Sequence, residues 1–128
     1  MVTSTLTEKQ IEAGKTLVHA GDTSNLKIDA ALWIYFKDQE VWKLLLSIKG
    51  IEKTGPKSLY NKLQKLITKT KIGDQLSLSE VALAKPKAPL LELMRIAIKT
   101  GPGISGISFT GNVINGQLIP DSYIYRLN

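Results

Sequence analysis

The one imidazole of this 128-residue chain, His19, stands just ahead of Asp22. Such a pair could hold and pass a proton, because histidine titrates near neutral pH and a carboxylate orients its ring. General-base work of that kind needs an activated hydroxyl, thiol or amine beside the imidazole, and no activated nucleophile is visible there. His19 also falls in the last turn of a helix given by apolar periodicity, where the macrodipole favours a cation. It is read as structural. The chain has no cysteine, which excludes thiolate nucleophiles, thiolate metal sites and disulfides. Its carboxylates are scattered singly, without the spacing of a metal site or of a paired acid and base. No catalytic, cofactor-binding or metal-ligating residue is therefore assigned, and no cofactor is expected.

Two further patterns imitate known chemistry. Ser24-Asn25-Leu26-Lys27 matches a serine-x-x-lysine motif, and Lys99-Thr100-Gly101 matches the lysine-threonine-glycine element of penicillin-recognising enzymes. Those enzymes need about twice this length and carry their serine at a helix start, whereas Ser24 precedes a strand. The match is chance. Gly101-Pro102-Gly103-Ile104-Ser105-Gly106 has the composition of a phosphate loop. A phosphate cradle needs its glycines between a strand and the N-terminus of the next helix, where amides and dipole converge. Here they follow a helix and precede a strand, so the dipole has the wrong sign and a connector is expected.

The lysines are more informative. Between Lys49 and Lys71 lie Lys49, Lys53, Lys57, Lys62, Lys65, Lys69 and Lys71 against one acid, Glu52. That segment holds the whole excess of a chain whose formal net charge is +6. On a helix, Lys57, Lys62, Lys65 and Lys69 fall within one arc of about 140°, opposite a leucine stripe. Such a face attracts a polyanion by counterion release, or an acidic protein surface by steering. It also serves as an ordinary solvated face. Lysine without arginine reads bases poorly, and the segment carries no helix-turn-helix, zinc-finger or ribonucleoprotein signature. A second cluster is aromatic: Trp33, Tyr35, Phe36 and Trp42 fall close together on two apolar runs. Aromatics on a sheet stack bases, fill cores or anchor protein interfaces.

The elements that must position these residues follow from periodicity and punctuation. Thr7 and Gln10 form a capping box, with Leu6 and Ile11 placed as a hydrophobic staple. A helix is predicted over Glu8–Ala20, with Gly21 just beyond it. Ile28–Phe36 and Val41–Ile48 read as a β-hairpin in which Phe36 pairs with Val41 and Tyr35 with Trp42. One face then carries Ala31, Trp33, Tyr35, Trp42, Leu44 and Leu46, the other Ala30, Leu32, Ile34, Phe36, Val41, Lys43 and Leu45. Pro56 opens a second helix whose stripe is Leu59, Leu63, Leu66 and Ile67, and Gly73 ends it. Leu78–Ala84 reads as a strand, and Pro89 starts a third helix running through Ile98 to Gly101-Pro102. Gly106–Leu127 reads as short strands around an Asn115-Gly116 turn, interrupted by Pro120.

The expected architecture is a single α+β domain over residues 1–128. Its mixed β-sheet and about three helices follow the order α-β-β-α-β-α-β-β. At 43% hydrophobic and 22% charged, the chain is neither a disordered tail nor a membrane protein. Met1–Lys15 has no apolar stretch of signal-peptide type, so a cytoplasmic location is expected. The run from Ala30 to Tyr35, the Trp42-Lys43-Leu44-Leu45 run, and Gly55-Pro56 with Tyr60, Leu63 and Gln64 resemble small bacterial proteins of no assigned activity. That resemblance covers residues 7–67. It implies a stand-alone prokaryotic protein and carries over no functional residue.

The expected function is a non-enzymatic protein-interaction module that self-associates, or meets another protein, through Trp33, Tyr35 and Trp42. The reason is that both faces of the hairpin are apolar, and monomers seldom expose such a patch. The alternative is an accessory nucleic-acid-binding protein using Lys57, Lys62, Lys65 and Lys69. An enzyme with a dispersed site comes third.

Overall fold

A computed structural model describes residues 5–128, so the Met1–Lys15 stretch read for a leader begins outside the described residues. The first helix, α1 (Glu8–Thr23), starts as its capping box dictates. The Gln10 amide donates to Thr7 Oγ1 at 3.1 Å, and the Thr7 amide donates to Gln10 Oε1 at 3.0 Å. It runs one turn past its expected end. Gly21, predicted just outside, is instead buried inside the helix, where a Cβ would stand 2.7 Å from Ile28 Cδ1. The left-handed residue that turns the chain away is Asn25, at φ 64°.

Strands β1 (Ile28–Phe36) and β2 (Val41–Ile48) form the expected hairpin with the expected register, Phe36 opposite Val41 and Tyr35 opposite Trp42. Alternation splits its side chains between two cores. Ala31, Trp33, Leu44 and Leu46 face one way; Ala30, Leu32 and Ile34 face the other. A one-turn helix α2 (Ile51–Thr54), absent from the expected order, leads into α3 (Pro56–Thr70). Pro56 sits in the first turn, as its missing amide allows, and Leu59, Leu63, Leu66 and Ile67 are buried. The helix ends at Lys71 in a left-handed conformation (φ 59°), two residues before Gly73.

The expected strand over Leu78–Ala84 divides in two. Leu78–Glu80 is a 3₁₀ turn, because Ser77 and Glu80 cap each other: the Ser77 amide donates to Glu80 Oε1 at 3.0 Å. Only Val81–Ala84 is strand, β3. Helix α4 (Pro89–Ala97) follows and stops where Ile98 turns extended. The rest of the chain is β4 (Ile107–Phe109), β5 (Val113–Ile114), β6 (Gln117–Leu118) and β7 (Ser122–Leu127). Asn115 and Gly116, both at positive φ, make the β5–β6 turn.

The fold is α+β around one mixed sheet, ordered β3-β2-β1-β7-β4, with β5 and β6 as a separate small ribbon. β3 runs parallel to β2; the other neighbours are antiparallel. α1 and α3 cover one face, burying Leu17, Val18, Leu59 and Leu63 against Trp33 and Leu44. α4 and the small ribbon cover the other, through Leu91, Met94 and Ile114 against Leu32 and Ile34. Each fully buried Leu, Ile or Met in these layers contributes on the order of 1.5–3 kcal/mol.

β7 carries a bulge that sets the direction of two large side chains. Ala31 pairs with Arg126 but Leu32 pairs with Ile124, leaving Tyr125 as the extra residue. Tyr125 packs into the core under α1, and Arg126 points to the same face as its partner Ala31.

Candidate nucleic-acid interface

α3 is the element that presents charge. Its buried leucine stripe fixes the rotation of the helix, so the opposite arc must face solvent. Lys57, Lys62, Lys65 and Lys69 are all exposed there, with Asn61 between them. From Lys57 to Lys69 they span about 18 Å of helix axis. The first turn of α3 contains no acid, so nothing offsets the positive end of its dipole beside Lys57. Lys49, Lys53 and Lys71 are exposed at the approach and exit of the helix.

Ion pairing among the described residues is confined to the two arginines. Arg95 bonds Asp29 at 2.6 Å and Glu92 at 3.0 Å, and its Nε donates to the Asn128 carbonyl. Arg126, only 5% exposed, grips both carboxylate oxygens of Asp22 at 2.9 and 2.8 Å. It also donates to the carbonyls of Ile28 and Gly103. The Arg95–Asp29 and Arg126–Asp22 pairs tie distant segments together, and the lysines of α3 have no ion-pair partner among the described residues.

Asp22 therefore belongs to Arg126 and not to His19, which is exposed and whose carbonyl accepts from Thr23. The Gly101–Gly106 connector does follow a helix and precede a strand. It is strapped along β7: the Thr100 amide donates to Leu127 O at 3.1 Å, and the Ser105 amide to Tyr125 O at 2.6 Å. No group of three or more His, Asp or Glu side chains able to hold a metal occurs among the described residues. No helix among them is long and apolar enough to cross a membrane.

The interface expected at Trp33, Tyr35 and Trp42 requires a hairpin face left open. α1, α3 and Tyr125 fill that face. Trp33 is fully buried, its Nε1 donating to Tyr125 Oη at 2.9 Å, so it offers no surface to a partner. Tyr35 and Trp42 are half-buried at the end of the sheet, with ring centroids 5.3 Å apart.

Two adjoining clefts open at that same end. One, of about 330 Å³, is lined by Thr5, Gln10, Val41, Trp42, Lys43, Ser79 and Glu80. The other, of about 430 Å³, is lined by Lys43, Tyr60, Leu78, Ser79, Val81 and Ala82. Lys43 and Ser79 belong to both. Sequence patterns do not reveal this meeting of β2, α3 and the 3₁₀ turn, because it depends on the parallel docking of β3. The one local signal is Tyr60 at the edge of the leucine stripe.

No family model, curated protein or solved structure matches the chain.

Proposed function

We propose that this chain is a nucleic-acid-binding module that contacts the phosphate backbone through the lysine face of α3. The observation that carries the reading is the state of Lys57, Lys62, Lys65 and Lys69. All four are exposed on one arc, and none has an ion-pair partner among the described residues. Unpaired surface lysines keep their full attraction for an external anion, whereas paired ones must first give up a partner. An ammonium is a compact point charge without the guanidinium's bidentate fork, so these groups suit phosphate contact and give little base selectivity.

Binding to short DNA and RNA, measured by fluorescence anisotropy at low and rising salt, tests the proposal. With four phosphates neutralised, the logarithm of affinity should fall against that of salt with a slope of roughly −3 to −4. Changing Lys57, Lys62, Lys65 and Lys69 to Gln should abolish the binding. Changing Lys9, Lys15, Lys27 and Lys37 to Gln removes the same charge from other surfaces and should weaken it far less. Equal loss in both variants, or no binding by the native chain, overturns the reading.

A further inference from the structure

We infer that this chain pairs with a second copy of itself through the free edge of β4, making one continuous sheet across a twofold axis. That pairing needs nothing from the lysine face of α3. It uses backbone groups that the fold leaves open.

β4 closes one side of the sheet, with β7 inside it and no strand beyond it among the described residues. The register fixes which of its residues faces out. The Tyr35 amide donates to the Asp121 carbonyl at 2.9 Å, in the same register that sets Trp33 opposite Tyr123. Antiparallel strands alternate, so Asp121 and Tyr123 turn their backbone groups to β1, and Ser122 and Ile124 turn theirs to β4. Phe109 and Ile107, opposite those two, spend their amides and carbonyls on β7. Ser108, between them, points its amide and carbonyl away from the sheet. Gly106 and Thr110 face outward by the same alternation, and all three residues are exposed.

A bare edge of this kind is a template for another strand, and proteins that stay single guard theirs with charge, proline or a cover. The opposite edge is guarded. There β3 lies between Glu80 and Lys85-Pro86-Lys87, and the Tyr60 hydroxyl reaches its Val81 carbonyl at 3.4 Å. β4 has no such protection, because the chain carries no charged side chain from Thr100 to Pro120.

The same feature selects the partner. A chain of net charge +6 repels its own copies, so a twofold contact is least opposed where cations are absent. A polyanion, by contrast, finds no cation in this stretch to hold it. Antiparallel pairing about Ser108 is also self-complementary, as a twofold contact must be. Ser108 of one copy exchanges both backbone hydrogen bonds with Ser108 of the other, and Gly106 of each meets Thr110 of its mate. The Thr110 carbonyl already accepts from Asn112 Nδ2 at 2.8 Å and keeps a second lone pair for this contact. The edge is short, so the dimer belongs to the weak class that buries less than about 1,200 Å².

Sedimentation equilibrium at rising protein concentration tests the pairing. The native chain should pass from monomer to dimer, more readily at high salt, which screens the repulsion between copies. Ser108→Lys and Ser108→Glu each set like charges directly opposite one another and should stay monomeric. An equimolar mixture of the two should recover the dimer, because opposite charges then face each other. Ser108→Thr, uncharged and suited to a strand, should dimerise as the native chain does. Circular dichroism checks the fold of each variant. Hydrogen exchange of the native chain needs no variant: the Ser108 amide should exchange more slowly as concentration rises. A native chain that stays monomeric at its highest soluble concentration overturns the proposal. So does a Ser108→Lys chain that still dimerises, a folded mixture that does not, or a Ser108 amide indifferent to concentration.

Discussion

The indole of Trp33 donates to the hydroxyl of Tyr125 at 2.9 Å, across 92 positions of sequence, and that hydroxyl in turn donates to the carbonyl of Ile11 at 2.5 Å. A short chain of hydrogen bonds thus joins β1, β7 and α1 inside the larger core. All polar atoms in it are matched, so two amphipathic aromatics are buried without an orphaned donor.

Gly14 is what lets α1 approach that pair. A Cβ there would overlap the Tyr125 hydroxyl and come 2.8 Å from Trp33 Nε1. Gly14→Ala gains up to about 1 kcal/mol in helix propensity but forces two locked rings apart, a typical overpacking cost of about 1–3 kcal/mol. A net loss of stability is expected. Gly21→Ala meets only the flexible end of Ile28 at 2.7 Å and should be nearly neutral. Urea titration of both variants checks the contrast, and a neutral Gly14→Ala would contradict it.

Burial of Tyr125, foremost, raises its pKa above the ordinary tyrosine value, with the neighbouring Tyr123 and Glu12 adding to the effect and the Trp33 hydrogen bond opposing it. In the folded protein the phenol thus keeps its proton to higher pH than in the unfolded chain, where it ionises near roughly 10. Below that value its contribution to stability is fully present. Above it the unfolded state binds fewer protons, so stability falls as pH rises toward the folded value. Tyr125→Phe should show a shallower decline above about pH 10 than the native chain. Phenolate absorbance offers a second readout: one of the four tyrosines should ionise only as the protein unfolds.

Arg126 and Asp22 are not equivalent partners. The guanidinium is 5% exposed, while the Asp22 side chain is 36% exposed and open to water. Asp22→Asn keeps a hydrogen-bonding group in place and should cost no more than about 1–2 kcal/mol, well below the figure for a fully buried pair. Arg126→Met removes the links to Asp22, Ile28 and Gly103 together. It should cost more, and it should raise amide exchange at Ser105, whose bond to Tyr125 O lies beside it. Equal losses in the two variants would show that the carbonyl contacts contribute nothing.

Ser47 supplies a stabilising prediction. It is fully buried on β2, and its hydroxyl has no hydrogen-bond partner among the described residues. Burying an unmatched hydroxyl costs about 1–3 kcal/mol, and alanine removes it with little change of volume. Ser47→Ala should therefore unfold at higher temperature than the native chain, and a lowered midpoint would refute the argument.

The elements governed by neighbouring residues are legible in the chain. The Thr7–Gln10 box, the Tyr35–Trp42 register and the Leu59–Ile67 stripe each depend on contacts within one helix or one hairpin, and all three occur as read. What is not legible is non-local. The parallel pairing of β3 with β2, the burial of Trp33 under α1 and the Arg126–Asp22 link join segments that no short-range rule connects. Gly21 shows the same limit, since its packing against Ile28 overrides its usual role as a helix stop. The lysine face is visible because helical period alone places it. The clefts are not, because they exist only once three separate elements have docked.

The position of β7 has a consequence for how the protein is made. It lies between β1 and β4 and supplies Tyr125 to one core and Ile124 and Leu127 to the other. A ribosome releases the β1–β2 hairpin long before it completes Ser122–Leu127. During that interval Leu32, Trp33 and Ile34 lack the last partners that bury them, and β1 presents an unpaired edge. Such long-range closure is slow compared with local helix formation. The nascent chain is thus most exposed to misassociation in the stretch of synthesis before β7 emerges, and a holdase that shields the hairpin would act on that window.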